Sequence, residues 1–263
     1  MTRLLSGLVL VALAVSAIWF LGTLPLLAVA EVVLVLALHE YERLARALDL
    51  QIPGVVAGAA AMLTCAAVAW PAAPLDAILV AALVALGALA LASPRPAVRS
   101  LGDAAAGLFP ALYLGLPLGA LVAIHDRAGR EGLLLLLLTV MASDTSQYYT
   151  GRAFGRRPLA PAISPGKTVE GAIGGFVGGA ACFAIVGRWW LPAVPVPMRI
   201  LLGLALVALG IVGDLFESRL KRGAGLKDSS TLIPGHGGVL DRIDALLFAA
   251  PVFYVFVRYG LRG

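Results

Sequence analysis

Charge is scarce in this chain. Of its 263 residues, 13% are Asp, Glu, Lys or Arg against 60% hydrophobic, and the mean hydropathy is +0.96. So few polar side chains cannot cover a soluble globule, which excludes an ordinary cytosolic domain. Cysteine is equally sparse. Cys65 and Cys182 lie in apolar stretches with no Cys or His at metal spacing, which argues against a disulfide framework or a zinc site and leaves them as packing residues. Acidic residues are outnumbered, giving a net charge of +5 and a pI near 9.6. In a soluble protein that excess would point to nucleic acid. Here the Lys and Arg residues lie in short loops, so it reads as membrane topology and no nucleic-acid partner is expected.

What is abundant is apolar sequence in runs near the roughly 20 residues of a bilayer-crossing helix. They fall at about 4–21, 24–38, 52–70, 74–92, 101–124, 132–150, 169–191, 200–217 and 239–259. The expectation is an all-α, polytopic transmembrane bundle of about nine spans. Arg3 ahead of the first run would suit a cleaved signal peptide, but another apolar segment follows Gly22 and Thr23 directly, so the first is read as retained. A re-entrant first pair would change the count and the side of the N-terminus. Pro110 and Pro117 predict a kink in the fifth segment, and Pro71 and Pro74 a short turn between the third and fourth. With nine spans, most of the Lys and Arg residues fall on the side of the N-terminus, and the positive-inside rule makes that side cytoplasmic. The two longest polar loops, 151–168 and 218–238, then both face the cytoplasm.

Ionisable residues within spans are costly and mark a site, a pathway or a paired lock. Asp144 lies near the end of the sixth span, Asp214 and Glu217 near the end of the eighth, and Asp241, Arg242 and Asp244 at the start of the ninth. Because successive spans alternate in direction, all are expected at one depth, joined by Lys167 and Glu170. Asp214 with Glu217, and Asp241 with Asp244, each project from one helix face. Converging carboxylates require cations between them, and oxygen-rich sites suit Mg²⁺ or a similar hard cation. Taken singly, each acid is as well explained by a salt bridge to Arg219, Lys221 or Arg242, or by the positive end of a helix. The set as a whole, beside a basic glycine-rich loop, favours a metal and phosphate site.

That loop, Ser218 to Asp244, carries Lys221, Arg222 and Lys227, while Gly235, Gly237 and Gly238 allow backbone N–H groups close to phosphate oxygens. Glycine also serves plain turns. A second segment, Ser164 to Gly171, sets Lys167 and Thr168 before a helix N-terminus, which favours anions. Its Gly-Lys-Thr is not a Walker motif, which would need Gly at position 161, here Pro161, and a preceding strand rather than an apolar helix. In a third, Asp144 to Arg152, Asp144, Tyr148 and Gly151 share one helical face with Arg152 just beyond. Tyr148 and Tyr149 fit interfacial anchors equally well. Glycine pairs 174–175 and 178–179 permit close helix packing, within one chain or between subunits.

Together these three segments resemble the phosphatidate cytidylyltransferases, the integral membrane enzymes that make CDP-diacylglycerol. The stretch Ser218 to Asp244 matches that family's signature in order and spacing: Ser, an apolar residue, Lys-Arg, Lys-Asp, Pro, His-Gly-Gly, and Asp-Arg-apolar-Asp. The resemblance covers about residues 100–263; the first hundred match in hydropathy and in His39-Glu40-Tyr41. Gly166 departs from it, since the family usually has a second Lys beside Lys167, and one phosphate contact is thereby weakened.

The resemblance implies N-terminal transmembrane helices over 1–100 and a catalytic transmembrane region over 101–263. It implies transfer of the CMP moiety of CTP to phosphatidic acid, releasing pyrophosphate. Asp214 and Asp241 become the leading Mg²⁺ ligands, with Glu217, Asp244 and Asp144 beside them, with or without a second cation. Lys167, Thr168, Lys221, Arg222 and Lys227 would hold triphosphate or lipid phosphate, with Arg152, Ser164, Gly237 and Gly238 as further binding residues; Arg219 and Arg242 would orient carboxylates. His236 completes the catalytic set, as a phosphate donor or structural hydrogen-bonder rather than an acid or base. His39 and His125 have no assigned role. A phosphate monoester is already an ionised nucleophile, so positioning and charge neutralisation carry the rate. The implied setting is a multi-pass protein of the bacterial inner membrane, a homodimer, with its site on the cytoplasmic face. Phosphatidic acid would enter sideways from the membrane lipid and CTP from water. Rival readings are a related CTP-dependent enzyme acting on another lipid, such as a polyprenol kinase or an ether-lipid synthase, and a cation or proton transporter. Transport would place acids at the midplane, where only Glu31 sits.

Overall fold

A backbone in lipid has no water to satisfy its N–H and C=O groups, so long apolar runs close their hydrogen bonds internally as helices. The computed structural model describes residues 2–70, 72–230, 232–233 and 237–261, with side chains from residue 7 onward. Its elements are α1 (Thr2–Phe20), α2 (Thr23–Ala47), α3 (Gly54–Ala69), α4 (Leu75–Ala92), α5 (Ala97–Pro110), a π-helical turn (Ala111–Gly115), α6 (Leu116–Phe154), strands β1 (Pro158–Ala160) and β2 (Ser164–Thr168), α7 (Val169–Trp190), α8 (Val196–Gly223) and α9 (Leu240–Gly260). Among the described residues the fold is all-α apart from one antiparallel hairpin, β1–β2, pairing Pro158 with Thr168 and Ala160 with Ser164. Every predicted apolar segment is helical to within a few residues, the fifth being spread over α5, the π turn and the start of α6. Among the described residues, five helical stretches are long and apolar enough to cross a membrane: Thr23–Ala47, Leu75–Ala92, Ala97–Phe154, Val169–Trp190 and Val196–Gly223.

Three local features differ from or sharpen the expectation. Pro110 cannot donate a backbone hydrogen bond, and the predicted kink takes the form of the π turn that follows it. The predicted fifth segment runs through α5, the π turn and the start of α6, and the sixth lies in the same α6, interrupted between them at Gly129, whose φ of 71° is open to glycine. The stretch before α7 is strand rather than apolar helix, although a three-residue and a five-residue strand make only a short hairpin.

The chain divides into two compact units, Met1–Ala123 with Leu220–Arg242, and Ile124–Arg219 with Ile243–Gly263. In the first, α3 packs on α2, α4, α5 and the π turn. Ala60, Ala82 and Ala111 form a small-residue core cluster with Leu79 and Leu108 against it. Its ion network joins Arg95 to both oxygens of Asp103 at 3.0 Å and to Asp49 at 2.9 Å. In the second, the glycine pairs of α7 serve packing within the chain. A Cβ at Gly178 would stand 2.0 Å from Ser146 Oγ, and one at Gly175 2.4 Å from Gln147 Cγ, so α7 lies directly on α6. Phe183 and Phe253 meet edge-on at 5.6 Å. Ala172, Val207 and Ile211 form a second core cluster, and Leu159 seats the hairpin against it.

Candidate active site

Two side-chain clusters gather the predicted residues, one in each unit. The first surrounds a cavity of about 350 Å³ lined by Asp144, Gln147, Tyr148, Gly151, Arg152, Gly166, Lys167, Thr168, Gly171, Ala172 and Asp214. Helix α6 contributes Asp144, Tyr148 and Gly151 at helical spacing, as the sequence predicts. Arg152 Nη1 donates to Tyr148 Oη at 3.2 Å, which draws the tyrosine into the cluster. Gln147 Nε2 lies 3.2 Å from Ser143 Oγ and 3.4 Å from Asp144 Oδ1. Strand β2 delivers Lys167 from the hairpin, and Lys167 Nζ pairs with Asp214 Oδ2 of α8. Ser218 Oγ stands one turn on, 3.4 Å from Asp214 Oδ1.

Thr168 ends β2 and caps α7. Its Oγ1 accepts from Gly171 N at 3.1 Å, and its extended backbone turns the chain into the helix. The donors and positive end of α7 are thereby held at the cavity beside Lys167. Glu170 Oε2 accepts from the backbone of Arg156 at 2.9 Å and Arg157 at 3.1 Å, tying the α6–β1 turn to the start of α7.

Of the other predicted residues in this unit, Glu217 is fully buried one turn along α8 from Asp214. Arg219 is exposed and Asp244 half-buried. Ser164 opens β2 opposite Ala160 and is outside the cavity lining.

The second cluster is built on the segment after α8. That helix continues to Gly223, well into the predicted loop, and ends in a Schellman pattern: Leu226 N donates to Lys221 O at 2.8 Å and Gly225 N to Arg222 O at 3.1 Å, with Gly225 at φ 70°. Lys221, on its last turn, is buried and pairs with Asp241 Oδ1. Asp241 Oδ2 accepts from Ser229 N at 3.0 Å, Ser229 Oγ at 2.8 Å and Gly238 N at 2.8 Å. Gly237 takes φ 78°, and a Cβ at Gly238 would lie 2.0 Å from Ser229 Oγ, so glycine is required at both. Arg222, Lys227 and Arg242 are exposed. His236 and Gly235 lie outside the described residues.

Two of the predicted acids, Asp214 and Asp241, are thus met by cations of the chain itself. Among the described residues, no three His, Cys, Asp or Glu side chains are grouped to hold a metal ion. Asp214 and Asp241 each face an ammonium, and Asp144 and Asp214 line one cavity. Glu40 also takes part, a residue to which no motif in the sequence assigns a role. Buried in α2, it holds the second cluster's loop by four hydrogen bonds.

Comparison with known proteins adds a family. The model described as the cytidylyltransferase family matches residues 1–260. A phosphatidate cytidylyltransferase of Haemophilus influenzae is 48% identical over 139 residues, 50% of this chain and 48% of that protein. A phosphatidate cytidylyltransferase of Pseudomonas aeruginosa is 46% identical over 125 residues, 47% of this chain and 46% of that protein. An uncharacterized protein of Escherichia coli, YnbB, is 44% identical over 126 residues, 48% of this chain and 42% of that protein. The chain thus spans about half the length of these curated relatives.

Proposed function

Since the chain belongs to the cytidylyltransferase family, we propose that it transfers the CMP moiety of CTP to phosphatidic acid, forming CDP-diacylglycerol and pyrophosphate. The observation that carries this reading is the α6–β2–α7–α8 cavity. Lys167, Thr168 and Arg152 supply cationic and hydrogen-bonding groups there, and Asp144 and Asp214 supply hard carboxylate oxygens. The names of the Haemophilus and Pseudomonas relatives support the same reaction.

In the proposed reaction an oxygen of the lipid phosphate forms a bond to the α-phosphorus of CTP. The bond from that phosphorus to the β-bridging oxygen breaks, and pyrophosphate leaves with the electron pair. The nucleophile needs no proton removed, so the chain's task is to hold two polyanions in line and neutralise developing charge. Lys167 and the capped N-terminus of α7 hold phosphate oxygens, and Arg152 reaches the same cavity. Lys221, Arg222 and Lys227, with the backbone at Gly237 and Gly238, are assigned to further phosphate contacts, and Ser164 and His236 to hydrogen-bonding support. Arg219 and Arg242 are assigned to orienting carboxylates.

The oxygen donors fit a hard cation, and Lys167 already brings positive charge to Asp214. Asp214 in one cluster and Asp241 in the other are the leading candidates for holding Mg²⁺, with Asp144, Glu217 and Asp244 as further donors. When bound, Mg²⁺ with or without a second cation would neutralise triphosphate charge. The same reading places the site at the cytoplasmic face of a bacterial inner membrane, crossed nine times by a homodimer's subunits. Residues 1–100 then serve as N-terminal spans and 101–263 as the catalytic region.

The direct test is isotopic. With purified protein, phosphatidic acid and Mg²⁺, label from the α-phosphate of CTP should enter the lipid and label from the γ-phosphate should leave in pyrophosphate. Transfer of γ-label to a lipid alcohol would instead identify a kinase.

A further inference from the structure

Glu40 lies towards the end of α2, is 2% exposed, and takes no part in the reaction described above. A carboxyl in so apolar a chain is costly unless its oxygens are fully engaged, and here they are. Oε1 accepts from Ser230 Oγ at 2.6 Å and Val239 N at 2.9 Å. Oε2 accepts from Ser229 Oγ at 2.8 Å and Leu240 N at 2.8 Å. These partners are 189 to 200 residues further along the chain.

The backbone donors belong to the start of α9, where N–H groups have no intrahelical acceptor. A helix commonly answers them with Ser, Thr, Asp or Asn just before its first residue. Val239 stands there instead and offers no side-chain oxygen. The cap therefore comes from a distant helix. Ser229 carries the connection further, since its hydroxyl lies 2.8 Å from both Glu40 Oε2 and Asp241 Oδ2. With one proton to donate, that hydroxyl is shared between two carboxylates. A Cβ at Gly238 would fall 2.3 Å from Glu40 Oε2, so loop and carboxylate are in direct contact.

We infer that Glu40 is a positioning residue for the proposed transfer. Through Ser229 and the backbone of residues 238–240 it fixes Asp241, so that Oδ2 is spent on the loop and Oδ1 is presented beside Lys221. It touches no substrate itself. This inference rests on the reading of Asp241 and Lys221 as cation- and phosphate-binding groups. Gln is the informative replacement, because its NH₂ would point hydrogens at two of the four donors.

The test compares wild-type, Glu40→Gln, Asp241→Asn and the double variant as full-length protein in detergent, with Glu42→Gln as a control on the same helix. Glu40→Gln is expected to lower kcat for CDP-diacylglycerol formation roughly ten- to a hundredfold, the range for residues that orient a binding group. The double variant should be no slower than Asp241→Asn, because Glu40 acts through Asp241. A separate reading, independent of turnover, is trypsin cleavage at exposed Lys227, which should accelerate in Glu40→Gln and not in Glu42→Gln. Wild-type kcat in Glu40→Gln, or a double variant that multiplies the two single losses, overturns the positioning role. Unchanged cleavage overturns the tether. If Glu40→Gln aggregates, Ser229→Ala replaces it with the same kinetic expectation, since it leaves three of Glu40's four donors. Wild-type protein that forms no CDP-diacylglycerol would overturn the assigned reaction instead, and cleavage at Lys227 then decides the tether alone.

Discussion

Lys167 with Asp214, and Lys221 with Asp241, are carboxylate–ammonium pairs, the first partly buried and the second largely so. Removing one member of such a pair leaves its partner uncompensated, which costs more than the pair itself contributes. Asp214→Asn and Lys167→Ala are each expected to lower kcat/KM for CTP by roughly 10²- to 10³-fold, the scale of losing one preorganised electrostatic group. Steady-state kinetics on detergent-purified protein would check this, and near wild-type values in either variant would remove the cavity from the reaction. The residues of this cluster were legible because each is a charged or capping group in an apolar chain, where cost makes it conspicuous. Glu40 carried the same signal, an acid inside an apolar helix, but nothing local set it apart from Glu31 and Glu42 on that helix. Its meaning lies in partners almost 200 residues away, and no local spacing reports a contact of that range.

Helices were legible as apolar runs, and their ends were less so. Hydropathy places the end of the eighth segment near residue 217, yet Glu217, Ser218, Arg219, Leu220, Lys221 and Arg222 are mostly good helix formers and α8 continues until the left-handed turn at Gly225. Charge ends an apolar run without ending a helix, and Lys221 owes its position to those added turns. Likewise the glycine pairs of α7 announced a close approach but not its partner, which proves to be α6 of the same chain. Gly178→Leu should therefore destabilise the protein in detergent by roughly 1–3 kcal/mol of overpacking, read as a lower thermal midpoint, since its Cβ alone would meet Ser146 Oγ at 2.0 Å. A midpoint equal to wild type would mean that α7 and α6 do not meet there. Thr168→Ala removes the α7 cap at a cost of about 1 kcal/mol. It should weaken CTP binding more than Thr168→Ser, which keeps the Oγ accepting from Gly171, as direct binding isotherms would register.

For the whole molecule, composition alone excluded a soluble globule, and the described residues include five helical stretches long and apolar enough to cross a membrane. The side on which each loop emerges is set by the asymmetry of Lys and Arg, and labelling can read it. A single cysteine at Arg156, in a background lacking Cys65 and Cys182, should react with an impermeant maleimide in inverted membrane vesicles. One at Arg127 should react from the opposite side. Reversed labelling would move the cavity to the outer face, away from cytosolic CTP. Most decisive is pyrophosphate release by the purified protein given CTP, with phosphatidic acid and Mg²⁺ varied independently. The expected result is release that requires both, stops with EDTA, matches CDP-diacylglycerol formed one for one, and is lost in Asp214→Asn. Release without lipid, no release at all, or full activity in Asp214→Asn would contradict a cytidylyl transfer centred on the α6–α8 cavity.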